Sequence, residues 1–410
     1  MKHVAIMPLI GGLALGAHRA TGQKPEAIID INLFGNEQHL KEYWPDVKNV
    51  TLNDEMEIHE GSLDGLTGID FCTTVPLCSG LSMLNSSNDK ESSRSRGSHA
   101  EQNRWIYDTA RYAIDKFSPK VLIGENAPNL YTRTGAGVRT QMYELAKELG
   151  YSITFYKTST LLHGIPQKRE RTFYFLWKSP AAPILNWYQK STPKLNEYLK
   201  LIPKEASLQE KMFQEFKPTD FPHVQFAILK LGENWKDEVS KHKTVTSWLD
   251  KNNYIDELIK YIEDIDLEKI DDEKIKKLIE RELKFFRHCK KKKEMGKGWW
   301  DASTIVMNEY TNAIISKNVF YLAHPDENRY LSLREAMHLM GMPHDFEIDP
   351  KNWNQISQNV PVSTASDMVK EAMKFINGTL ESSHCEMVMQ NNISQKIETF
   401  HPLIKSKELF

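Results

Sequence analysis

Apolar residues along the chain come in short runs broken by turn formers, and these runs alternate with stretches of helical period. Residues 3–10 read as a strand, Gly11-Gly12 as a tight turn, and residues 13–21 as a helix with Leu13, Ala14 and Ala17 on one face. Strands follow at 27–31, which carries Asp30, and at 50–52, which runs into Asn53-Asp54; a helix over 36–44 lies between them. The strand at 69–74 leads into Pro76-Leu77-Cys78, where proline ends the pairing. Residues 101–117 predict an amphipathic helix with Trp105, Ile106, Ala110, Ala113 and Ile114 inward, and the strand at 121–124 ends in Glu125-Asn126. A helix over 141–149, a strand over 152–157, a turn at 163–166 and a strand over 172–177 complete the series. This repetition of strand and helix predicts an α/β doubly wound sheet.

After Pro180 the periodicity changes. Residues 181–320 are rich in Lys, Glu, aromatics and Pro, and include a charged helical stretch over 257–293. Helical packing returns with residues 331–340, stopped by Gly341-Met342-Pro343, and with a last helix over 363–375. Beyond Gly378 the composition is that of a loosely packed polar tail. The expected organisation is therefore a main domain over 1–180 resumed at 321–378, a second and smaller domain over 181–320, and a tail over 379–410.

With 410 residues, 26% of them charged and 40% hydrophobic, the chain has the balance of an ordinary globular protein with more than one domain. A net charge of −2 supplies no global basic field, so a nucleic-acid surface would have to be a local patch. One such patch is Lys290-Lys291-Lys292-Lys293 with Lys297-Gly298-Trp299-Trp300, although a solvated helix face and a structural tryptophan pair account for it equally. Cys72, Cys78, Cys289 and Cys385 lack CxxC spacing, which points to neither a zinc site nor a disulfide framework and fits a reducing compartment. No apolar run is long enough to span a membrane, and the glycines and His18-Arg19 favour strand, turn and helix over a signal peptide at the start of the chain.

Candidate chemistry gathers where strands end, the edge at which open α/β sheets bind ligands. Cys78 there is either a nucleophile or a small buried hydrophobe. Gly11-Gly12 opening a helix is a generic cradle for a nucleotide-like ligand, and Asp30 stands about 20 residues on, where a ribose-binding acid sits; packing and solvation explain both as well. Arg169 and Arg171 alternate into a strand and so share a face that wants an anion. The Ser-rich stretch 85–99, with Lys90, Arg94 and Arg96, reads as a basic lid or as a surface insertion.

In order and spacing these segments resemble the cytosine-5 DNA methyltransferase family. Pro76-Leu77-Cys78 matches its Pro-Pro-Cys, Glu125-Asn126 its Glu-Asn-Val, and Gln167, Arg169 and Arg171 its Gln-x-Arg-x-Arg. Arg329 to Glu335 with Met340 to Phe346 resembles the late segment that packs back on the core, and Gln358-Asn359-Val360-Pro361-Val362 the final Gly-Asn-x-Val element. The resemblance covers residues 3–177 and 320–377. It implies a Rossmann-like methyltransferase sheet, with residues 181–320 as target-recognition domain.

It further implies a reaction. Cys78 would add to C6 of a flipped-out cytosine, Glu125 would protonate N3, and Arg169, supported by Arg171, would hold the base carbonyl or a phosphate. Ser82, Asn126, Gln167 and Arg171 would contact or support the substrate. S-adenosylmethionine would lie on Gly11 and Gly12, with Asp30 at the ribose, Asp54 at the adenine amine, and Asn359 nearby; no metal is implied. The partner would be double-stranded DNA, read by a monomer in the cytoplasm of a prokaryote or on behalf of a virus. A cognate restriction endonuclease could act on the same site without a stable complex. The chain departs from the family at its first motif, where Ala5, Met7 and Leu9 replace an acid, an aromatic and a glycine, and at Leu77, which replaces a proline. A transfer-RNA cytosine-5 methyltransferase and a DNA-binding relative that has lost turnover are the alternatives.

Overall fold

The structure is a computed structural model that describes residues 1–31, 38–82, 97–202, 215–297, 303–315, 318–379, 387–392 and 394–401. The expected lid, apart from residues 97–99, and the Trp299-Trp300 pair lie outside the described residues, as do the first two residues of the helix expected over 36–44. The chain forms two units, one of residues 1–192 with 339–410 and the other of residues 193–338. These divisions fall later in the sequence than the change in periodicity at Pro180.

Ten strands of the first unit form one sheet among the described residues. They are β1 (His3–Ile6), β2 (Ala27–Asp30), β3 (Lys48–Leu52), β4 (Ile58–Glu60), β5 (Phe71–Thr74), β6 (Val121–Asn126), β7 (Ser152–Ser159), β8 (Glu170–Trp177), β9 (Met387–Asn391) and β10 (Lys396–Phe400). Their order is β9-β10-β7-β8-β6-β5-β1-β2-β3-β4. β3, β2, β1, β5 and β6 pair in parallel, which puts all their carboxyl ends on one edge. β8 runs antiparallel to β6, with Asn126 opposite Thr172 and Glu125 opposite Phe173. The start of β8 therefore returns to the edge where β6 ends.

β1, β2, β5 and β6 are short and wholly buried because both faces of the sheet are covered there. Helices Arg104–Phe117 and Ala136–Leu149 lie on a core that includes Ile29, Leu122 and Ile153. The other face packs Leu13, Ala17, Met368 and Val369 onto Phe71, Ile123 and Phe175. Helices Gly12–Thr21 and Val362–Ile376 meet closely there: a Cβ on Gly16 would lie 2.4 Å from that of Ala365, so no larger residue fits. All five inward positions expected of the helix over 101–117 are buried, although its first turn, Glu101–Asn103, is a 3-10 segment.

The polar tail is a correction. β9 and β10 form a hairpin whose second strand pairs antiparallel with β7, from Lys396 opposite Lys157 to Phe400 opposite Ile153. The signal was hidden because its inward residues are partly polar: Gln395 and Thr399 are buried, the latter 3.1 Å from the Thr154 hydroxyl.

The second unit is helical. Among its helices, Pro222–Leu231, Val245–Lys251, Ile255–Glu263 and Glu273–Glu294 enclose Phe221, Val224, Trp248, Leu258 and Phe286. The single stretch expected over 257–293 is two helices. Asp266 and Asp272 turn their carboxylates back onto the amides of Glu268 (3.1 Å) and Lys274 (2.8 Å), and the second starts a new helix as its N-cap. Among the described residues no helix is long and apolar enough to cross a membrane.

Candidate active site

Strand β5 hands the chain to Val75-Pro76-Leu77-Cys78 at the sheet's ligand-binding edge, and the Cys78 side chain is part-exposed there. Asn126, the last residue of neighbouring β6, is fully buried and braces this loop. Its Nδ2 donates to the carbonyls of Pro76 (3.3 Å) and Leu77 (3.4 Å), while its Oδ1 accepts from the Ala127 amide at 2.9 Å. The thiol is thus carried on backbone held by an amide from the next strand. Downstream, the Gly97 amide donates to the Gly80 carbonyl at 2.8 Å, and Asn103 Nδ2 donates to the Gly97 carbonyl at 2.9 Å. Ser82 is half-buried just beyond the thiol, its amide 3.4 Å from the Ser79 carbonyl.

Glu125 and Arg171 meet because β6 and β8 run antiparallel. Arg171 Nε stands 2.8 Å from Glu125 Oε1, with the Glu125 side chain only 4% exposed. Burial pushes the Glu125 carboxyl above the ordinary range, against the opposing charges of Arg171 and Arg169. Burial likewise pushes the Cys78 thiol up; Arg171 is the strongest influence in the other direction, Glu125 adds to the rise, and Arg169 opposes it. A thiol, an acid and two guanidiniums drawn from three strand ends therefore act on one another.

The two arginines differ from expectation. Arg169, expected to face substrate with Arg171 behind it, is 1% exposed and donates through Nη2 to the carbonyls of Ser357 (2.6 Å) and Asn359 (3.0 Å). Arg171 is the more exposed of the two and the one paired with the acid. Gln167, also expected at the substrate, is fully buried and donates to the Leu339 carbonyl at 2.7 Å, so it fastens the late segment to the stretch just before β8.

At the other end of the edge, the turn after β1 carries left-handed backbone at Met7 (φ 46°), Leu9 (φ 55°) and Gly11 (φ 102°). Two of these are not glycine, a strain that the surrounding packing must hold. The Gly12 amide, the first of the helix, donates to Asn359 Oδ1 at 2.8 Å. A Cβ on Gly12 would lie 2.0 Å from the Val360 carbonyl oxygen. Asn359 was expected to touch cofactor; it is 1% exposed, its oxygen caps this helix and its Nδ2 contacts Met342 Sδ. Asp30 ends β2 and is buried, while Asp54 follows β3 and is exposed. Two carboxylates at neighbouring strand ends beside a left-handed turn fit the ribose hydroxyls and exocyclic amine of an adenosine, although the Gly12 amide is already occupied by protein. Among the described residues no group of His, Cys, Asp and Glu is arranged to hold a metal.

Sequence reasoning missed Arg139, whose Nη1 donates to the carbonyls of Leu130 (2.6 Å) and Thr132 (2.9 Å) and so shapes the loop after Glu125-Asn126. An arginine in a helix's first two turns carries no sequence signal for a carbonyl grip.

A family model described as C-5 cytosine-specific DNA methylase matches residues 1–374. Type II methyltransferase M.Bpa9945I of Bacillus paralicheniformis is 24% identical over 352 residues, covering 76% of this chain and 72% of that protein. A solved structure of a prophage-encoded E. coli protein, described as a DNA modification methyltransferase, superposes with a TM-score of 0.55 at 16% identity, covering 92% of this chain and 99% of that one. At that identity the likeness speaks to the fold alone.

Proposed function

This chain belongs to the C-5 cytosine-specific DNA methylase family and is a DNA cytosine methyltransferase; we propose that it works on a cytosine swung out of the duplex, through a covalent bond to Cys78, with S-adenosylmethionine as methyl source. The observation that carries this reading is the Glu125–Arg171 pair at 2.8 Å with both charges acting on Cys78. A stacked base offers no path for a thiol to C6, so the base must leave the stack.

The Cys78 sulfur, as thiolate, bonds to C6 while the Glu125 carboxyl passes its proton to N3, and the ring's electron pair moves onto C5. Burial of Glu125 favours the protonated acid that this step requires. While Glu125 still holds its proton, Arg171 is free of a full ion pair and can take the base carbonyl oxygen, and the carboxylate left by the transfer pairs with Arg171 again. Asn126 keeps the thiol's backbone in place, and Ser82, half-buried just beyond Cys78, would contact the strand beside the extruded nucleotide. S-adenosylmethionine, when bound by Asp30 and Asp54 beside the Gly11 turn, supplies an electrophilic methyl group. The C5 proton then leaves to water, the C6–sulfur bond breaks, and Glu125 recovers its proton from N3. In this reading Arg169 and Gln167 position the machinery from behind, and residues 193–338 are the target-recognition unit.

A duplex containing 5-fluorocytosine tests the proposal. With methyl donor present, a covalent adduct should form on the wild-type protein and vanish in Cys78→Ala; tight binding without adduct would overturn it. The occupied Gly12 amide favours a second reading, a DNA-binding relative with feeble donor binding. Calorimetric titration of S-adenosylmethionine in the presence of DNA separates the two.

A further inference from the structure

The run Lys290 to Lys293 looks in sequence like the nucleic-acid patch of the chain. The structure redistributes that charge. Lys290 Nζ pairs with Asp256 Oδ1 at 2.6 Å and Lys293 Nζ with Asp250 Oδ1 at 2.7 Å. Arg287 pairs with Glu263 at 2.6 Å, and Lys276 with Glu273 at 2.8 Å. These acids are thus taken up by cations at the flanks of helix Glu273–Glu294.

What remains is a row down the solvent side of the same helix. Lys277, Arg281, Lys284, His288 and Lys291 follow one another at intervals of four, three, four and three, and all are exposed. That spacing puts them on one face. The opposite face holds the buried Leu278, Glu282, Phe286 and Cys289. Among the described residues, Lys277, Arg281, Lys284 and Lys291 have no acid within ion-pair distance, and the exposed acids that border the row are Glu273, one turn before Lys277 and already paired with Lys276, together with Glu280 and Glu294. At 1.5 Å per residue the row is roughly 21 Å long. One strand of a DNA duplex presents a phosphate about every 3.4 Å of axis, so a row of this length faces several in succession.

We propose that the Lys277–Arg281–Lys284–Lys291 face is a track for the phosphate backbone of duplex DNA, supplying affinity without reading sequence. This rests on the DNA substrate of the proposed function and adds a surface to it. Cations in a row, with their flanks neutralised, no amide among them and His288 as the one aromatic ring, suit a line of phosphates rather than base edges. Long side chains on a straight helix can follow the backbone without choosing a base.

The test compares two variants of the full-length protein by the salt dependence of duplex binding. In the fourfold variant Lys277→Gln, Arg281→Gln, Lys284→Gln and Lys291→Gln, the slope of log affinity against log salt should become shallower by about 0.9 for each phosphate that the protein no longer neutralises. Turnover at saturating DNA should stay at the wild-type value. The control, Lys290→Gln with Lys293→Gln, removes cations already paired and should leave the slope as it was. An unchanged slope in the fourfold variant, or an equal change in the control, overturns the track. Thermal unfolding of both variants excludes loss of fold as a cause, since every substituted side chain of the row is exposed. The Cys78 adduct on 5-fluorocytosine DNA is read separately: a persisting adduct with an unchanged slope removes the track alone, and a missing adduct in wild-type protein removes the chemistry alone.

Discussion

The two ends of the sheet's ligand-binding edge solve different problems. Where β5, β6 and β8 finish, side chains of defined chemistry converge: a thiol, an acid and a guanidinium with an amide bracing the loop. Where β1 finishes, the family's side chains have been replaced, and the backbone path is kept by protein contacts instead. Leu9 sits at φ 55° where a glycine would be at ease, and Asn359 takes the first amide of the helix that follows. Bond-making demands particular atoms, whereas a binding cradle can be held open or plugged by many combinations. Arg169 and Asn359 join the two ends, since the guanidinium behind the acid also holds the carbonyl of the residue that caps the helix.

That contrast can be broken most severely at Cys78. Cys78→Ala should lower methylation by on the order of 10⁴-fold or more while DNA affinity is kept, measured by methyl incorporation and gel shift. Glu125→Gln comes next, and sharpens the picture because two readouts move oppositely. Methylation should fall by roughly 10²–10⁴-fold. Alkylation of Cys78 by iodoacetamide should speed up, because the anion that raises the thiol is gone. Arg171→Gln should slow the same alkylation at fixed pH. In the wild-type protein the rate should keep climbing above pH 9.0, the ordinary thiol value, since the folded thiol is shifted upward and ionises late.

At the other end the expected effects are smaller. Asn359→Ala leaves the Gly12 amide without its acceptor and should cost about 1–3 kcal/mol in a denaturant melt. Leu9→Gly removes a left-handed leucine that costs roughly 1–2 kcal/mol, offset by poorer packing. Its stability should barely change, while methyl-donor affinity in a calorimeter improves by a few fold.

Much of the parallel core was legible because buried strands flanked by turn formers leave a plain hydrophobic signature. At the chemical end the sequence placed Cys78 in the loop after β5 and Glu125 near the end of β6, and the structure brings both to one edge of the sheet. The relation of Arg169 to Arg171 was not: both share a face, and only the path of residues 357–359 decides which is covered. The hold of Asn359 on the Gly12 amide was hidden for a similar reason, since the two lie 347 positions apart. The helix over 257–293 read as continuous because its interruption is built from aspartates that suit helix surfaces and helix starts equally.

The hairpin of β9 and β10 has a consequence during synthesis. Tyr156 on β7 meets Gln395, which lies 239 positions further along the chain, so one flank of β7 has no strand beside it until the hairpin emerges. At typical ribosomal speeds that wait lasts roughly 10–50 s. An unpaired strand that carries Ile153, Phe155 and Tyr156 and is left open that long is a template for pairing with other nascent chains. The yield of this protein in a cell should therefore depend on what shields β7 in that interval, long before any DNA is met.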